Sequence, residues 1–474
     1  MEQNQFDNTQ PNPPRRRRKR SKWQIFKEAY LPFIILGVAA LMILIFIATA
    51  AFRSSGPSTS TEPSESGLSQ AQLLEQEAQT LMAQAAQHAA NLDYEEAINT
   101  LTTFSGDMTT IPGMVEKYNE YSAAFAAMVP YTAMDHVPNL SVNMLIADLN
   151  RALNYKDYGD RLNRNYLTCD EFRNVLQGLY DNGYMLISIY DAVQKVVGAD
   201  GSVTMQAGRI YLPEGKKPII LTQTGANYFT YLVDGDGDGL ADKDGAGFAS
   251  RLVVDANGNL TCEMVDANGT TITGSFDFIP ILEEFIAKHP DFSYKGARAT
   301  IAVTGYDGLF GYRTDPETAE KISQDFYEQQ LADVKAVIQA VRDKGYDIAC
   351  YTYDMASYGE MNLEEIQTDL TLWSEEVVPL LGETDILVYP NGSDILGKEA
   401  KYSGNVYDYL RSQGFYYFIG QESSTRAWGQ ITENYMRQTR RQLAPNVMYY
   451  SYTYFDDVFN AQAVLDEARG EIPY

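Results

Sequence analysis

Residues 344–355 have the sequence KGYDIACYTYDM, which leaves a helix, alternates like a buried strand and ends in a crowded polar tip. Four consecutive side chains make up that tip: Tyr351, Thr352, Tyr353 and Asp354. In folds that alternate strands and helices, the working site lies at the C-terminal ends of the strands. The stretch therefore predicts a parallel sheet with polar side chains delivered to one end of it.

The same rhythm extends along the chain from about Tyr131 onward. Apolar runs that predict strands alternate with runs that predict helices, and Asn362 with Glu365 has the spacing of a helix capping box. This alternation predicts an α/β fold, and its extent predicts closure into a distorted (β/α) barrel. The predicted strands are 184–190, 218–222, 299–305, 346–353, 385–390 and 415–420, and the predicted helices are 169–182, 277–288, 316–344, 362–381 and 406–413.

One segment, residues 234–278, interrupts the alternation. Asn257-Gly258 and Asn268-Gly269 lie eleven residues apart between short β-type runs. Asn-Gly pairs favour the tight turns of β-hairpins. We therefore expect a small β-hairpin insertion within a barrel that spans residues 130–474.

The N-terminal part of the chain predicts a membrane anchor. Residues 31–52 form an uncharged apolar run that would span about 33 Å as a helix, against about 30 Å of bilayer hydrocarbon. The preceding residues, 1–30, form a basic tail with a net charge of +5. By the positive-inside rule, this tail is cytoplasmic and the C-terminal domain extracellular, which predicts a single-pass protein of the cell membrane. A signal peptide cleaved near Ala48-Thr49-Ala50 remains the alternative.

Two further segments connect this anchor to the barrel. Residues 53–68 are rich in Ser and Pro and predict a flexible linker. Residues 69–129 have helical periodicity, and DYEEAINTL, residues 93–101, resembles the second helix of a tetratricopeptide hairpin. A single such unit cannot form a solenoid. We expect a helical stalk, with a surface for protein partners as the alternative.

Composition narrows the range of partners. The 474-residue chain has a formal net charge of −26, and the part from Arg53 onward carries −31. A surface this acidic repels phosphate backbones, which excludes nucleic acid as a partner. The three cysteines are far apart in the sequence, so they indicate neither a disulfide framework nor a CxxC metal site.

Three segments of the chain resemble the polysaccharide deacetylases, carbohydrate esterase family 4. KKPIILTQTGANYF (216–229) resembles the family's first strand motif, KGYDIACYTYDM (344–355) its histidine motif, and DILVYPNGSD (385–394) its later strand with a Pro-aromatic-Gly turn. The resemblance covers roughly residues 131–474. It implies a deacetylase-type barrel and a chitin or peptidoglycan glycan as the substrate class.

The sequence departs from this family at the positions that carry its chemistry. The family holds a divalent metal, usually zinc, with one Asp and two His, and a further Asp acts as the base. Thr224 stands at the base position, Gly225 at the metal-binding Asp, and Tyr351 and Met355 at the two His. Glycine offers no ligand atom, a phenol near pKa 10 stays protonated, and a thioether is a poor ligand for zinc. We therefore expect no catalytic zinc and name no catalytic residue.

Polar side chains near the predicted strand ends are candidates for binding a glycan. Amides, carboxylates and aromatic faces are suited to sugar hydroxyls and ring faces. Two of the carboxylates, Asp354 and Asp394, could also rebuild an acid/base pair. The candidates are Gln223, Asn227, Asp354, Asn391, Asp394 and Arg313.

VDGDGDGLADKDG, residues 233–245, has the pattern of a calcium loop. Asp234, Asp236, Asp238 and Asp242 occupy positions 1, 3, 5 and 9 of such a loop, and a glycine supports the sharp turn. Gly245 stands where the closing Glu is expected, so another oxygen must complete the shell. A solvated acidic loop without a metal is the alternative to a structural calcium site.

Two further runs have unusual compositions. NVMYYSYTYF, residues 446–455, is rich in tyrosine and predicts a packed strand, with a glycan-binding platform as the alternative. MRQTRRQ, residues 436–442, is a basic patch in an acidic domain. It would either neutralise neighbouring carboxylates or contact an anionic wall polymer.

These observations predict a membrane-anchored protein of a bacterial cell envelope that binds cell-wall or surface glycan, such as peptidoglycan, without metal-dependent deacetylation. Two other functions remain open. The first is an active N-deacetylase or hydrolase with a rearranged site. The second is an envelope scaffold that recruits protein partners through its stalk.

Overall fold

The computed structural model describes residues 69–316, 322–397, 400–421 and 426–474. The predicted cytoplasmic tail, membrane helix 31–52 and linker lie outside these residues. Within them, no helix has the length and hydropathy needed to cross a bilayer.

The stalk segment is helical, as predicted. It contains α1 (Gln70–Ala90), α2 (Tyr94–Thr102) and α3 (Met114–Ala126). A capping box begins α1, because Ser69 Oγ accepts the N–H of Gln72 and Gln72 Oε1 accepts the N–H of Ser69. The three helices pack through a cluster of buried apolar side chains, chiefly Ala78, Ala85, Ala97, Leu101, Met114 and Tyr121.

Seven parallel strands close into a barrel, which confirms the predicted barrel fold. They pair in chain order around the ring, and the last strand pairs with the first, with Arg441 opposite Leu140. Because all seven are parallel, their C-terminal ends meet at one end of the barrel, here called the mouth. The strands are β1 (Asn139–Val142), β2 (Lys217–Thr224), β3 (Thr300–Val303), β4 (Asp347–Cys350), β5 (Ile386–Val388), β6 (Tyr417–Gln421) and β7 (Met436–Gln442).

Side chains alternate between the inside and the outside of this barrel. Ile220, Ile386 and Met436 belong to one apolar cluster that fills the interior away from the mouth. Leu221 and Leu387, each next to an inward residue, belong to a second cluster that packs outward against the helices. The side chain of each strand residue near the mouth therefore has a predictable direction.

Helices cover the outside of the barrel between successive strands. Those of eight residues or more are α4 (Cys169–Asp181), α5 (Phe278–Lys288), α6 (Gln324–Asp343), α7 (Leu363–Leu372) and α8 (Asn405–Ser412). The predicted helix 362–381 is interrupted by a π-turn at Trp373–Val377, because Pro379 cannot donate a helical hydrogen bond. The shorter helices are Leu149–Leu153, Gly159–Asn165, Ile189–Ala192, Thr230–Val233, Val378–Leu381 and Pro445–Tyr450.

The predicted β-hairpin insertion is present as an antiparallel meander. Its strands are Arg251–Val254, Leu260–Val265 and Thr271–Gly274. Both Asn-Gly turns occur, with Gly258 at φ +80° and Gly269 at φ +82°, where a side chain would be strained. The remaining strands outside the barrel ring are Val129–Tyr131, Tyr184–Leu186, Val193–Val197, Val203–Ala207, Ile210–Leu212 and Gly429–Ile431.

The prediction of a strand over residues 446–455 is wrong. This segment forms the helix Pro445–Tyr450 and a 3-10 turn at Tyr452–Phe455. Pro445 occupies the first turn of the helix, where its missing N–H costs nothing. The predicted strand 184–190 is also shorter than expected, because Ser188 caps a new helix at Ile189.

Of the two roles predicted for the basic run 436–442, the structure shows the neutralisation of neighbouring carboxylates. These residues are β7, and Arg437, Arg440 and Arg441 are buried. Two of the three arginines neutralise carboxylates. Arg437 lies 2.8 Å from Asp394, and Arg441 lies 2.7 Å from Asp457.

The stalk joins the barrel at the end opposite the mouth. Lys295, in the segment that leads into β3, pairs with Asp93 at 2.9 Å and donates its backbone N–H to Asn91. Phe125 packs edge-on against Tyr211, in a strand that precedes β2. These contacts all involve segments at the N-terminal ends of barrel strands.

Candidate functional site

An open cleft of about 510 Å³ lies at the barrel mouth. We call it the mouth cleft. It is lined by residues at or just beyond the ends of β1, β2, β4, β5, β6 and β7, and by the short helix Gly159–Asn165 with the residue after it. Its lining includes five carboxamides (Asn143, Asn165, Asn391, Gln421, Gln442), four aromatic rings (Tyr166, Phe229, Tyr231, Tyr351) and one charged side chain (Arg161).

The four positions that resemble the deacetylase catalytic set converge in this cleft. Thr224, Gly225, Tyr351 and Met355 all line it. Thr224 Oγ1 is already engaged, because it donates to Asn143 Oδ1 at 2.9 Å. The two segments that resemble the family's catalytic motifs therefore meet at the barrel mouth, as the resemblance implies, but they carry side chains other than Asp and His.

The residues present do not fit a catalytic zinc ion. Among the described residues that line the mouth cleft there is no His, Cys, Asp or Glu. Gly225 adopts φ +68°, and a Cβ there would come within 3.2 Å of the Phe229 ring. A metal ligand at this position would therefore need both a left-handed backbone and a shift of that ring.

A buried carboxylate holds the loop that carries Tyr351 and Met355. Asp369 on α7 accepts the backbone N–H groups of Tyr353 at 2.9 Å and Asp354 at 3.1 Å. It also accepts the hydroxyl of Tyr358 at 2.7 Å. Burial raises the pKa of Asp369, and these hydrogen bonds oppose the rise. Asp369 is a positioning residue, and no sequence motif marks it as one.

Three predicted glycan-binding residues do not reach the mouth cleft. Gln223 is 0% exposed and donates Nε2 to Asp277 at 2.7 Å, on the outer side of the barrel wall. Asn227 is buried and donates to the carbonyl of Thr304. Arg313 is buried as well, and it donates to backbone carbonyls of the same wall at 2.7 and 3.0 Å. All three stabilise the fold, whereas Asn391 does line the cleft.

The structure does not bring Asp354 and Asp394 together as an acid/base pair. Asp354 lies in a neighbouring cleft of about 730 Å³, here called the side cleft, which shares only Tyr231 with the mouth cleft. Asp394 is paired with Arg437 and accepts the hydroxyl of Tyr402. Neither carboxylate lines the mouth cleft, so neither is placed to act on a ligand there.

The predicted calcium loop brings three of its four carboxylates together. Single oxygen atoms of Asp234, Asp236 and Asp242 lie within 4.8 Å of one another, whereas Asp238 is not part of that group. Asp242 Oδ2 also accepts the backbone N–H groups of Gly235 and Asp236. Calcium binding at this loop stays a prediction.

Sequence reasoning missed most of the cleft's aromatic and amide side chains. Gln421 and Gln442 end their strands, so the strand-end rule could have found them once β6 and β7 were placed. Arg161, Asn165 and Tyr166 come from the segment after β1, which has no motif. Burial raises the pKa of Tyr166 and of Tyr231, so both phenols stay protonated at neutral pH.

Comparisons with known proteins give weak likenesses only. No family model matches the chain, and no curated protein is a significant match. Among solved structures, the chain is similar to the Streptococcus pyogenes deacetylase PplD in complex with acetate, with 12% identity, a TM-score of 0.34, and coverage of 66% of this chain and 94% of the other. It is also similar to a polysaccharide deacetylase from Bacillus cereus, with 12% identity, a TM-score of 0.33, and coverage of 67% and 69%. These TM-scores are too low to carry an argument, so the function of the chain has to be inferred from the residues of the cleft.

Proposed function

We propose that the chain is a polysaccharide-deacetylase-like protein that binds a cell-wall or surface glycan in the mouth cleft without metal-dependent deacetylation. One observation carries this proposal. Carboxamides and aromatic rings surround the strand ends where the family that the sequence resembles has Asp and His.

The chemistry of the lining suits a sugar chain. A carboxamide donates and accepts hydrogen bonds, so it can pair with a hydroxyl or with an N-acetyl group. Aromatic faces pack against the apolar faces of sugar rings, and the tyrosine hydroxyls add a polar edge. Five carboxamides and four rings around about 510 Å³ provide both kinds of contact.

The same lining is poorly suited to amide hydrolysis. Activation of water at neutral pH requires a metal ion or a base that is deprotonated there. The described lining holds neither metal ligands nor a carboxylate, and the phenols of Tyr166 and Tyr231 have raised pKa values. This is why binding is proposed in place of catalysis.

We further propose that residues 31–52 anchor the protein in the cell membrane with its N-terminus in the cytoplasm. The basic tail before this apolar run supports that orientation. The barrel would then lie outside the cell, where wall glycans are found. Protein partners of the stalk remain a prediction.

Isothermal titration of the full chain with peptidoglycan fragments and with N-acetylglucosamine oligomers tests the proposal. We expect binding to at least one of these glycans, and Gln421→Ala should weaken it about tenfold because this side chain lines the cleft. Gln413→Ala is the matched control, since Gln413 is exposed and lies at the opposite end of the barrel.

A parallel assay measures acetate released from the same glycans with added zinc, cobalt or magnesium. We expect none above the background of heat-treated protein. Metal-dependent acetate release would overturn the proposal in favour of a rearranged hydrolase. Absence of binding to every glycan tested would overturn it as well.

A further inference from the structure

The mouth cleft carries a positive charge that no described carboxylate balances. Arg161 is the one charged side chain among the described lining residues. Its side chain is exposed, and its guanidinium forms no hydrogen bond or ion pair with another described residue. The charge of Arg161 partly offsets the rise that burial causes in the pKa of Tyr166 and Tyr231, and all three side chains line the cleft.

A second arginine lies one layer deeper in the barrel. Arg440 and Gln442 are two residues apart on β7, so their side chains point to the same face, and Gln442 lines the cleft. Arg440 is 1% exposed and donates to the carbonyls of Tyr389, Ile419 and Gly420. Tyr389 directly precedes Pro390, and Gly420 directly precedes Gln421, in the cleft wall. The guanidinium is therefore enclosed directly under the cleft.

Arg440 has no counter-ion in the described part of the chain. No carboxylate there lies within 4.0 Å of it, whereas its neighbours Arg437 and Arg441 are both paired. Its side chain is hydrogen-bonded to Tyr351, which lines the cleft, and burial lowers its pKa. An arginine stays charged even so, because its ordinary pKa is far above neutral. A buried unpaired charge is costly, and a complementary charge in the cleft would reduce that cost.

A donor without a partner points in the same direction. Gln442 accepts the hydroxyl of Ser141 through Oε1 at 2.9 Å, while its Nε2 is buried with no partner among the described residues. The Nε of Arg440 adds nothing to this, because Arg437 and Arg441, which point away from the cleft, also have unpartnered Nε atoms. Buried donors are nearly always satisfied, so the unpaired amide of Gln442 in the cleft wall indicates that an acceptor is supplied there.

From this geometry we infer that the mouth cleft recognises a carboxylate on its glycan, so that its ligand is a sugar acid. The inference rests on the proposed glycan binding and names the class of glycan. Arg161 offers a planar fork that matches a carboxylate, Gln442 offers an amide donor, and Arg440 supplies positive potential from below. The other carboxamides are left to bind hydroxyl and N-acetyl groups.

The net negative charge of the whole domain does not prevent an acidic ligand from binding in the mouth cleft. The chain from Arg53 onward carries −31, yet exposed charges are screened beyond about 8 Å at physiological salt. No carboxylate is among the described residues that line the mouth cleft, and those of the side cleft lie beyond the shared Tyr231. Local charge therefore decides which ligand is held.

Two tetrasaccharides that differ in one respect test the inference by isothermal titration of the full chain. The acidic probe alternates N-acetylglucosamine with glucuronate, and the neutral probe is the same tetrasaccharide with its carboxylates reduced to primary alcohols. We expect the acidic probe to bind at least about tenfold more tightly. Arg161→Gln should remove this preference, because it should weaken binding of the acidic probe more than binding of the neutral one.

Arg440→Met should also reduce the preference, by about fivefold, without direct contact between residue 440 and the ligand. Arg441→Met is the matched control, because Arg441 lies on the same strand, points outward and should leave the preference unchanged. Circular dichroism of each variant establishes that it is folded.

The outcomes separate the inference from the function on which it rests. Equal binding of the two probes, or an equal loss of both in Arg161→Gln, would overturn the carboxylate inference and leave glycan binding standing. Tighter binding of a glucosamine oligomer, which is cationic, would overturn it too. Failure of both probes and of every other glycan would overturn the proposed function itself.

Discussion

Arg469 and Arg440 are both enclosed guanidinium groups, but among the described residues only Arg469 has a counter-ion. Arg469 contacts both carboxylate oxygens of Glu171, at 2.6 Å for Nη2 and Oε2, and both side chains are 0% exposed. Arg440 has carbonyl oxygens and Tyr351. The first arrangement ties the C-terminal segment to α4 and stabilises the fold. The second leaves positive potential beneath a cleft, where a ligand can use it.

The strongest test of this contrast compares Arg469→Met with Arg440→Met. We expect Arg469→Met to lower the free energy of unfolding by about 3–5 kcal/mol, because Glu171 is left buried and unpaired. Arg440→Met should cost less, about 1–2 kcal/mol, since it removes an unpaired buried charge, which offsets the loss of its hydrogen bonds, and the carbonyl of Ile419 still accepts the N–H of Tyr389. Urea unfolding followed by circular dichroism gives both values. Equal losses would mean that the two arginines have the same role.

Asp347 is a buried carboxyl group without a nearby cation in the described part of the chain, and it extends the comparison of paired and unpaired buried charges. Unlike an arginine, it can become neutral by binding a proton. Desolvation raises the pKa of Asp347 to about 7, and the hydroxyl of Ser188 opposes the rise. The folded state therefore binds a proton that the unfolded chain has released above about pH 4. Its stabilising contribution is present below that pH and is lost as the pH rises through 7.

For wild-type protein we therefore expect the free energy of unfolding to fall by about 4 kcal/mol between pH 4 and 7.5 through Asp347. Asp347→Asn should flatten most of this dependence, and Asp191, whose pKa burial raises to about 6, accounts for part of the remainder. Asp343→Asn is the control, since that carboxylate is exposed on α6. An unchanged slope in Asp347→Asn would show that this carboxylate is not the responsible group.

The smallest change in stability is expected at the predicted calcium loop, residues 233–245, where the carboxylates of Asp234, Asp236 and Asp242 lie close together. Millimolar calcium should raise the free energy of unfolding by about 1 kcal/mol, and Asp236→Asn should abolish the increase. Asp255→Asn, in an exposed turn of the meander, should retain it. Thermal unfolding with calcium or magnesium measures the effect. No response to calcium would favour the solvated acidic loop.

Sequence reasoning found the barrel but could not complete it. PIILT and YDIACYTY were recognisable because apolar side chains dominate both faces of these buried strands. Asn139–Val142 and Met436–Gln442 were not, because these two strands place polar side chains inside the barrel. Asn139, for example, donates to Gln438 at 3.1 Å inside the barrel. Those hydrogen bonds depend on residues about 300 positions apart, which no local pattern reveals.

The candidate site shows a related limit. Thr224 was placed correctly, whereas its neighbour Gln223 was expected in the cleft and points outward. The side-chain period of a strand is two, so an error of one residue reverses the face. Tyr231 and Arg161 lie beyond strand ends on short helices, and their positions depend on how those helices pack.

The attachment of the stalk at the end away from the mouth has a mechanical consequence. A pull applied at Ser69 against a glycan held in the cleft would act on opposite ends of the barrel. It would load the ion pair of Lys295 with Asp93 and the short antiparallel pair of Val129–Tyr131 with Ile210–Leu212 before it reached the seven-stranded ring. The contacts between the stalk and the barrel would then break first, and the cleft would keep its shape while the stalk separated from the barrel.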